Sequence, residues 1–163
     1  MSYDLKIFRN EVRLNSNSLD FLDSEENVLQ FTDQQTQILK KRLKHYKFQL
    51  ELKNDLVEEY NYDGGKMRIS AFLTNNCLTL KCSGGSQDGL FEILQTASEF
   101  SDGDLSVLNL QEGTWENGGE TFQVGEQPIL NEELQDNQVP EISERNINNE
   151  VKTNNSKPWW KFW

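Results

Sequence analysis

A hairpin within residues 67–82 is the feature that most constrains the fold of this chain. Asn75 and Asn76 lie between two strand-like segments, and asparagine tolerates the positive φ angles of a two-residue hairpin turn. Such a turn places Leu73 opposite Leu78, and side chains then alternate between the two faces of the strands. One face is predicted to be wholly apolar and to carry the pairs Leu73–Leu78, Ala71–Leu80 and Ile69–Cys82. An isolated hairpin is marginally stable, so this pattern predicts further strands and helices over the apolar face.

The segments on either side of the hairpin predict an α+β fold. Alternation of apolar and polar residues is typical of strands at 3–9, 48–53, 56–62 and 105–110. Apolar residues at helical spacing predict one helix that starts at Thr32, where Gln35 completes a capping box, and a second helix over 87–101. The expected fold is a two-layer α+β sandwich, with two helices on one face of a mainly antiparallel sheet.

Several finer predictions concern burial. Alternation in the strand 48–53 directs Phe48, Leu50 and Leu52 inward. The inner face of the second helix is predicted to carry Leu90, Phe91, Leu94, Ala97 and Ser98. Residues 10–30 are rich in Asn, Ser and acidic side chains and predict a long surface loop. The apolar residues expected to pack beneath this loop are Leu19, Phe21, Leu22, Val28 and Leu29. Trp115 is predicted to cover the edge of the core.

The composition changes after residue 115 and suggests three regions. Residues 1–115 are predicted to form the folded α+β sandwich domain. In residues 116–156 the apolar residues are isolated among Glu, Asn and Gln, which predicts a flexible acidic tail because too little apolar surface is available for burial. Residues 157–163 form a Trp-rich terminal peptide.

The terminal peptide contains three of the four tryptophans of the chain. Aromatic side chains bury a large area at a small entropic cost, so they are frequent anchors of interfaces. The predicted partner-binding residues here are Trp159, Trp160, Lys161, Phe162 and Trp163. Three destinations are open: a groove on the same domain, a pocket on a partner protein, or a weak and reversible contact with a membrane surface.

The charge and the cysteines limit the classes of protein that are compatible with the sequence. A net charge of −11 and a pI near 4.5 argue against nucleic-acid binding, which requires basic surface. Such acidity suits a cytoplasmic protein or a partner for a basic protein, and it also confers solubility by itself.

Cys77 and Cys82 lie about 16 Å apart on one predicted strand, too far for a disulfide. Reduced thiols indicate the cytoplasm, and neither a signal peptide nor a transmembrane segment is predicted.

Catalytic signals are weak throughout the sequence. The single histidine, His45, lies among lysines at the end of the first helix, where a surface position is expected. Cys82 faces the predicted core, where a thiol is inert. No metal-ligand spacing is present, so the sequence predicts no enzyme, no metal and no cofactor.

Three segments carry a resemblance to known proteins: Met1–Phe8, the hairpin, and Leu108–Trp115. Together they resemble small uncharacterised bacterial α+β proteins, some of which are similar to toxin-immunity proteins. The resemblance implies a non-enzymatic inhibitor that occupies the active cleft of a bacterial toxin. An acidic inhibitor suits a basic toxin domain, because complementary fields speed association. The acidic residues considered for this contact are Glu58, Glu59, Asp63, Asp102 and Asp104.

Two other functions are compatible with the sequence. One is an adaptor that presents the Trp-rich peptide 157–163 to a partner protein. The other is a small enzyme of unrecognised type, which would require a pocket with convergent polar groups.

Overall fold

The structure, a computed structural model, describes residues 2–62, 68–83 and 87–126. These residues form an α+β fold with an eight-stranded antiparallel sheet in the order β2-β3-β4-β5-β1-β6-β7-β8. The strands are β1 (Ser2–Arg9), β2 (Phe48–Lys53), β3 (Glu58–Tyr62), β4 (Ile69–Leu73), β5 (Leu78–Ser83), β6 (Leu105–Asn109), β7 (Thr114–Asn117) and β8 (Glu120–Gln123). The helices are α1 (Asn10–Asn15), a 3₁₀ helix (Asp20–Asn27), α2 (Asp33–His45) and α3 (Gln87–Ser98). The prediction of an α+β fold with a mainly antiparallel sheet is confirmed.

The register of the β4–β5 hairpin is the predicted one, with Leu73 opposite Leu78 and Ile69 opposite Cys82. The predicted turn type is wrong, because Lys47 is the only described non-glycine residue with a positive φ. The turn is held instead by hydrogen bonds to the segment that precedes α2. The N–H of Phe31 donates to the Asn75 carbonyl oxygen at 2.8 Å, and the Asn76 side chain donates to the carbonyl oxygen of Glu25.

The helices α2 and α3 cover one face of the sheet, as predicted. Thr32 and Gln35 form the expected capping box at the start of α2. Leu39 and Leu43 of α2 and Ile93 of α3 are completely buried against the sheet. The strand residues of this core include Leu5, Ile7, Ile69, Ala71, Leu78, Leu80 and Val107.

The opposite face has a cover of its own. The prediction of an irregular loop at 10–30 is wrong, because α1 and the 3₁₀ helix form there. The predicted packing is confirmed for Leu19, Phe21, Leu22 and Val28, whereas Leu29 is 45 % exposed. Helix α1 and the 3₁₀ helix lie over β1, β6 and β7 on this face. Their side chains form a second core with Phe8, and the Phe21 ring lies 5.5 Å from the Phe8 ring, edge to face. The buried residues of this second core are Phe8, Val12, Val28, Cys77, Leu108 and Trp115.

The sheet continues past residue 115, where the sequence predicted the folded domain to end. Trp115 lies within β7 and is 1 % exposed, at the centre of the second core rather than over its edge. Strand β8 follows through Gly118 and Gly119, which both have positive φ as a two-residue hairpin turn requires. The guanidinium of Arg13 in α1 lies 4.2 Å from the Phe122 ring centre, which ties β8 to α1.

The remainder of the predicted acidic tail, from residue 127 onward, lies outside the described residues, as does the Trp-rich peptide 157–163. Within the described ranges, none of the helices combines the length and the apolar character needed to cross a membrane.

Candidate protein-binding cleft

A cleft of about 560 Å³ opens between the C-terminal end of α2 and one side of α3. We call it the α2–α3 cleft. Three aromatic residues line it, namely Tyr46, Tyr62 and Phe91. Its wall beside α3 carries three carboxylates. Asp88 and Glu92 are spaced by four residues and so lie on one side of α3, and Glu99 directly follows the helix. The cleft therefore combines aromatic surface with an acidic wall.

Tyr46 joins the two helices that border the cleft. Its hydroxyl donates to Glu99 Oε2 at 2.8 Å, and this hydrogen bond, with burial as a smaller cause, raises the pKa of the tyrosine. The Tyr46 ring lies 5.0 Å from His45 and 5.8 Å from Phe100 between ring centres. The aromatic surface at this end of the cleft is thus fixed by a hydrogen bond and by ring contacts.

Tyr62 extends the aromatic surface from the end of β3. Its ring lies 5.3 Å from the Phe48 ring, which is buried in the core beneath α2. Burial raises the pKa of the Tyr62 hydroxyl, and the nearby charge of Glu92 raises it further. Tyr62 therefore stays a neutral hydrogen-bonding group beside the acidic wall.

Lys47 is one of the residues that line the cleft, and its backbone is in a left-handed conformation with φ of 63°. Its N–H donates to the Lys44 carbonyl oxygen at 3.2 Å, which closes the end of α2. Glycine usually occupies this position after a helix, because a side chain there strains the backbone by about 1 kcal/mol. A strained lysine at the edge of a cleft is an observation that points to a role for its side chain.

Phe91 is exposed on the cleft surface, and the prediction that it lies on the inner face of α3 is wrong. The ring is 69 % exposed, whereas Ile93 and Ala97 are buried. The spacing of Leu90, Ile93, Leu94 and Ala97 already follows the i, i+3, i+4, i+7 pattern of a buried stripe, and this pattern excludes Phe91. Ser98, also assigned to the inner face, is exposed as well.

The charges of the cleft favour a cationic partner. Three carboxylates, those of Asp88, Glu92 and Glu99, line the cleft together with a single lysine, Lys47. Low-dielectric walls and one dominant sign of charge concentrate the field in a cleft. This surface is suited to a segment that carries basic side chains next to an apolar one.

The acidic residues predicted from the sequence do not form one surface. Glu58 and Glu59 are neighbours on β3 and point to opposite faces of the sheet, because Glu58 pairs with Leu73 and Glu59 with Phe72. Burial of Glu58 opposes its ionisation, but hydrogen bonds from Lys40, Tyr60 and Lys53 lower its pKa to about 2. Glu58 thus anchors α2 and the start of β3.

Asp102 and Asp104 lie in the turn between α3 and β6. The Asp102 carboxylate accepts hydrogen bonds from Arg42 of α2 and from the N–H groups of Asp104 and Leu105, the last two at 2.9 and 3.0 Å. Asp104 is exposed. Asp63 lies outside the described residues, as do Trp159, Trp160, Lys161, Phe162 and Trp163.

Both cysteines are free and buried. Burial raises the pKa of Cys77 to about 12 and also raises that of Cys82. These thiols are therefore protonated near neutral pH and poorly nucleophilic. Among the described residues, no three His, Cys, Asp or Glu side chains are grouped so that they could hold a metal ion.

Comparison of the chain with protein families, curated proteins and solved structures finds no match.

Proposed function

We propose that this protein is a non-enzymatic protein-binding module of the cytoplasm, an immunity-like inhibitor that neutralises a bacterial toxin. The observation that carries the proposal is the α2–α3 cleft, which combines an exposed Phe91 with the acidic wall of α3. An exposed aromatic ring beside a cavity is the usual form of an interface anchor. The immunity assignment itself comes from the resemblance of the sequence segments.

The charge of the protein supports a basic partner. The whole chain carries a net charge of −11, and the cleft concentrates three carboxylates against one lysine. Opposite fields accelerate the encounter of two proteins and disfavour wrong partners. A toxin with a basic active cleft, such as a nuclease that binds phosphates, would present the complementary surface.

The proposed mechanism is occupation of the toxin's cleft rather than chemistry. Phe91 would enter an apolar pocket of the toxin, while Glu92 and Glu99 would pair with its basic side chains. The Tyr46–Glu99 hydrogen bond holds this surface before binding, which reduces the entropy lost on association. The cytoplasmic location rests on the two free, buried thiols, which suit a reducing compartment.

Photo-crosslinking in source cells tests this proposal. A photoreactive phenylalanine analogue at position 91 should capture a basic protein, which mass spectrometry then identifies. The same analogue at Leu56, which is 80 % exposed on the β2–β3 turn, is the matched control. The captured protein should be toxic or enzymatically active alone, and the wild-type chain should inhibit it at a one-to-one ratio.

The charge-reversal variant Glu92→Lys should lose inhibition while its folding remains intact. A captured protein whose activity is unchanged by a stoichiometric amount of the chain would overturn the inhibitor assignment. Equal capture from positions 91 and 56 would overturn the assignment of the cleft.

A further inference from the structure

Phe91 differs from the other exposed hydrophobic residues of the described ranges in the charge that surrounds it. Five large hydrophobic side chains are exposed there, and Phe91 is the only aromatic one. Leu50 and Leu52 are two of the others, so the prediction that they point inward is wrong, because β2 is the outermost strand of the sheet. Phe91 instead lines the α2–α3 cleft together with three carboxylates. An occupant of this cleft has to match an aromatic ring and negative charge at the same time.

The carboxylates of the cleft form no ion pair within the part of the chain that the structure describes. The ion pairs found there use other acidic residues, for example Glu58 and Asp102. Asp88, Glu92 and Glu99 take part in none of them. Carboxylates of this kind on a partly enclosed surface attract positive charge. The occupant is therefore expected to be a cation with aromatic or apolar groups beside its charge.

The terminal peptide 157–163 has this complementary chemistry. Glu150 is the last acidic residue of the sequence, and three lysines follow it, at positions 152, 157 and 161. Within the peptide, four aromatic residues lie next to two of these lysines. The side chains of this segment are thus opposite in sign to the chain as a whole, whose net charge is −11.

The cleft offers contacts for both kinds of side chain in the peptide. Its volume of about 560 Å³ lies within the range of ligand pockets, which is roughly 300–1,000 Å³. An indole ring of the peptide would pack against Phe91 or Tyr62, since aromatic pairs favour edge-to-face and offset stacking. Lys161, which lies between aromatic residues, would pair with Glu92 or bind over the face of a ring. One short peptide would thereby satisfy the acidic and the aromatic parts of the cleft together.

The peptide is near enough along the chain to reach the cleft. The described residues end at Glu126, and residues 127–156 connect it to the peptide. A chain of about 30 residues spans up to roughly 100 Å when extended, whereas a small domain measures about 30 Å across. A tether that can span two sites gives its ligand an effective concentration of up to about 1 mM. Even an affinity of about 100 μM for the free peptide would therefore fill most clefts.

We propose that the α2–α3 cleft binds the terminal peptide 157–163 of the same chain, and that the peptide competes there with the protein partner. The competition rests on the proposed function, whereas binding of the peptide requires only the cleft. A cleft that is occupied for much of the time shows a reduced apparent affinity for any added ligand. Only a partner that binds more tightly than the peptide would then displace it.

Photo-crosslinking of the purified full chain tests the contact in the absence of any partner. A photoreactive phenylalanine analogue at position 91 should form crosslinks to residues 157–163 within single chains, which mass spectrometry identifies. The same analogue at Leu56, which is 80 % exposed on the β2–β3 turn, is the matched control and should give far fewer. Crosslinks between two chains would assign the cleft to a second copy and overturn the proposal. Equal crosslinking from positions 91 and 56 would overturn it as well.

A dye-labelled synthetic peptide with the sequence of residues 156–163 measures the competition by fluorescence anisotropy. The full chain with Lys161→Glu should bind this probe about threefold more tightly than wild type, because its own peptide occupies the cleft less. Lys152→Glu, outside the peptide, is the matched control and should change the affinity much less. Glu92→Lys should weaken probe binding about tenfold or more. A probe that binds none of these forms would overturn the proposal.

The failure of this proposal is distinguishable from the failure of the proposed function. A chain that crosslinks to its own peptide but inhibits no captured protein would retain the contact and lose the inhibitor assignment. A chain that inhibits its partner, forms no crosslink to residues 157–163 and shows equal probe affinity for wild type and Lys161→Glu would retain the inhibitor assignment. That second result would overturn the binding of the peptide.

Discussion

The hydroxyl of Tyr46 donates a 2.8 Å hydrogen bond to Glu99 Oε2, and so connects the end of α2 to α3. Beside it, Arg42 donates to the Phe100 carbonyl oxygen at 3.3 Å and also binds the Asp102 carboxylate. These contacts hold together the two helices that border the α2–α3 cleft. The shape of the proposed binding surface therefore depends on a few polar contacts that can be removed singly.

Tyr46→Phe should lower the free energy of unfolding by about 0.5–1 kcal/mol, the usual contribution of one hydrogen bond at a partly exposed site. Urea denaturation monitored by circular dichroism measures the change. Glu99→Gln keeps an acceptor for the Tyr46 hydroxyl and should lose less stability. Equal stability of Tyr46→Phe and wild type would show that the hydrogen bond does not hold the helices.

Glu58 should make stability depend on pH in acid. The folded-state pKa of about 2 lies below the ordinary value of 4.5, so ionised Glu58 stabilises the fold fully above about pH 4.5. This contribution is lost as the pH falls toward 2. After allowance for solvent screening, Glu58→Gln should lower the unfolding free energy at pH 7 by about 2 kcal/mol.

Chemical denaturation at several pH values checks this behaviour. The difference in unfolding free energy between wild type and Glu58→Gln should become smaller as the pH falls below 4.5. Glu59→Gln is the matched control, because Glu59 occupies the adjacent position on the opposite face. A difference that stays constant down to pH 2 would contradict the assigned ion pairs.

Lys47→Gly should raise the unfolding free energy by about 1 kcal/mol, because glycine adopts a φ of 63° without the strain of a side chain. Lys44→Gly, within the last turn of α2, should instead lower it by about 1 kcal/mol. Thermal and urea denaturation distinguish the two signs. A loss of stability in Lys47→Gly would indicate that the lysine side chain contributes more than the strain removes.

Trp115→Ala should lower the unfolding free energy by about 3–5 kcal/mol, the range for removal of a large aromatic side chain from a core. Trp115 lies 6.0 Å from Phe8 and 6.1 Å from Phe21 between ring centres, so its loss leaves a cavity between β1, β7 and the 3₁₀ helix. Trp115→Phe should lower the unfolding free energy clearly less than Trp115→Ala does. A loss below 1 kcal/mol for the alanine variant would contradict a central position for this residue.

The sequence predicts those parts of the fold in which local and long-range signals agree. The register of β4–β5 follows from the spacing of apolar pairs, and a shift by one residue would move every one of them to the other face. The capping box of Thr32 and Gln35 is equally local. The turn type predicted for the β4–β5 hairpin is nevertheless wrong. Hydrogen bonds with Glu25 and Phe31 hold Asn75 and Asn76 in another conformation.

The position of a strand within the sheet, at an edge or in the centre, does not follow from the alternation of apolar and polar residues along it. The pattern of β2 shows which residues share a face but not that the strand lies at an edge, and the bulge after Leu50 then reverses the face of Leu52. For β7 and β8 a signal was present. The Asn117-Gly118-Gly119 sequence is a strong hairpin turn signal, and it lies between short strand-like segments.

The candidate site was the least predictable part of the structure. Tyr46 and Glu99 are far apart in sequence and meet only because α2 and α3 lie on the same face of the sheet. The acidic residues chosen from the sequence, such as Glu58 and Asp102, are those that bind the cations of α2. Local patterns identify acidic residues but do not distinguish internal ion pairs from a free acidic surface.

The central claim is that the α2–α3 cleft binds a cationic protein partner, and one affinity comparison tests it most directly. Isothermal titration calorimetry would measure the affinity of the partner captured at position 91 for three forms of the chain: wild type, Phe91→Ala and Leu29→Ala. Leu29 is the matched control, since it is 45 % exposed and lies outside the cleft. We predict that Phe91→Ala weakens binding at least about tenfold and that Leu29→Ala changes it less than about twofold. Equal affinities for wild type and Phe91→Ala would contradict the claim.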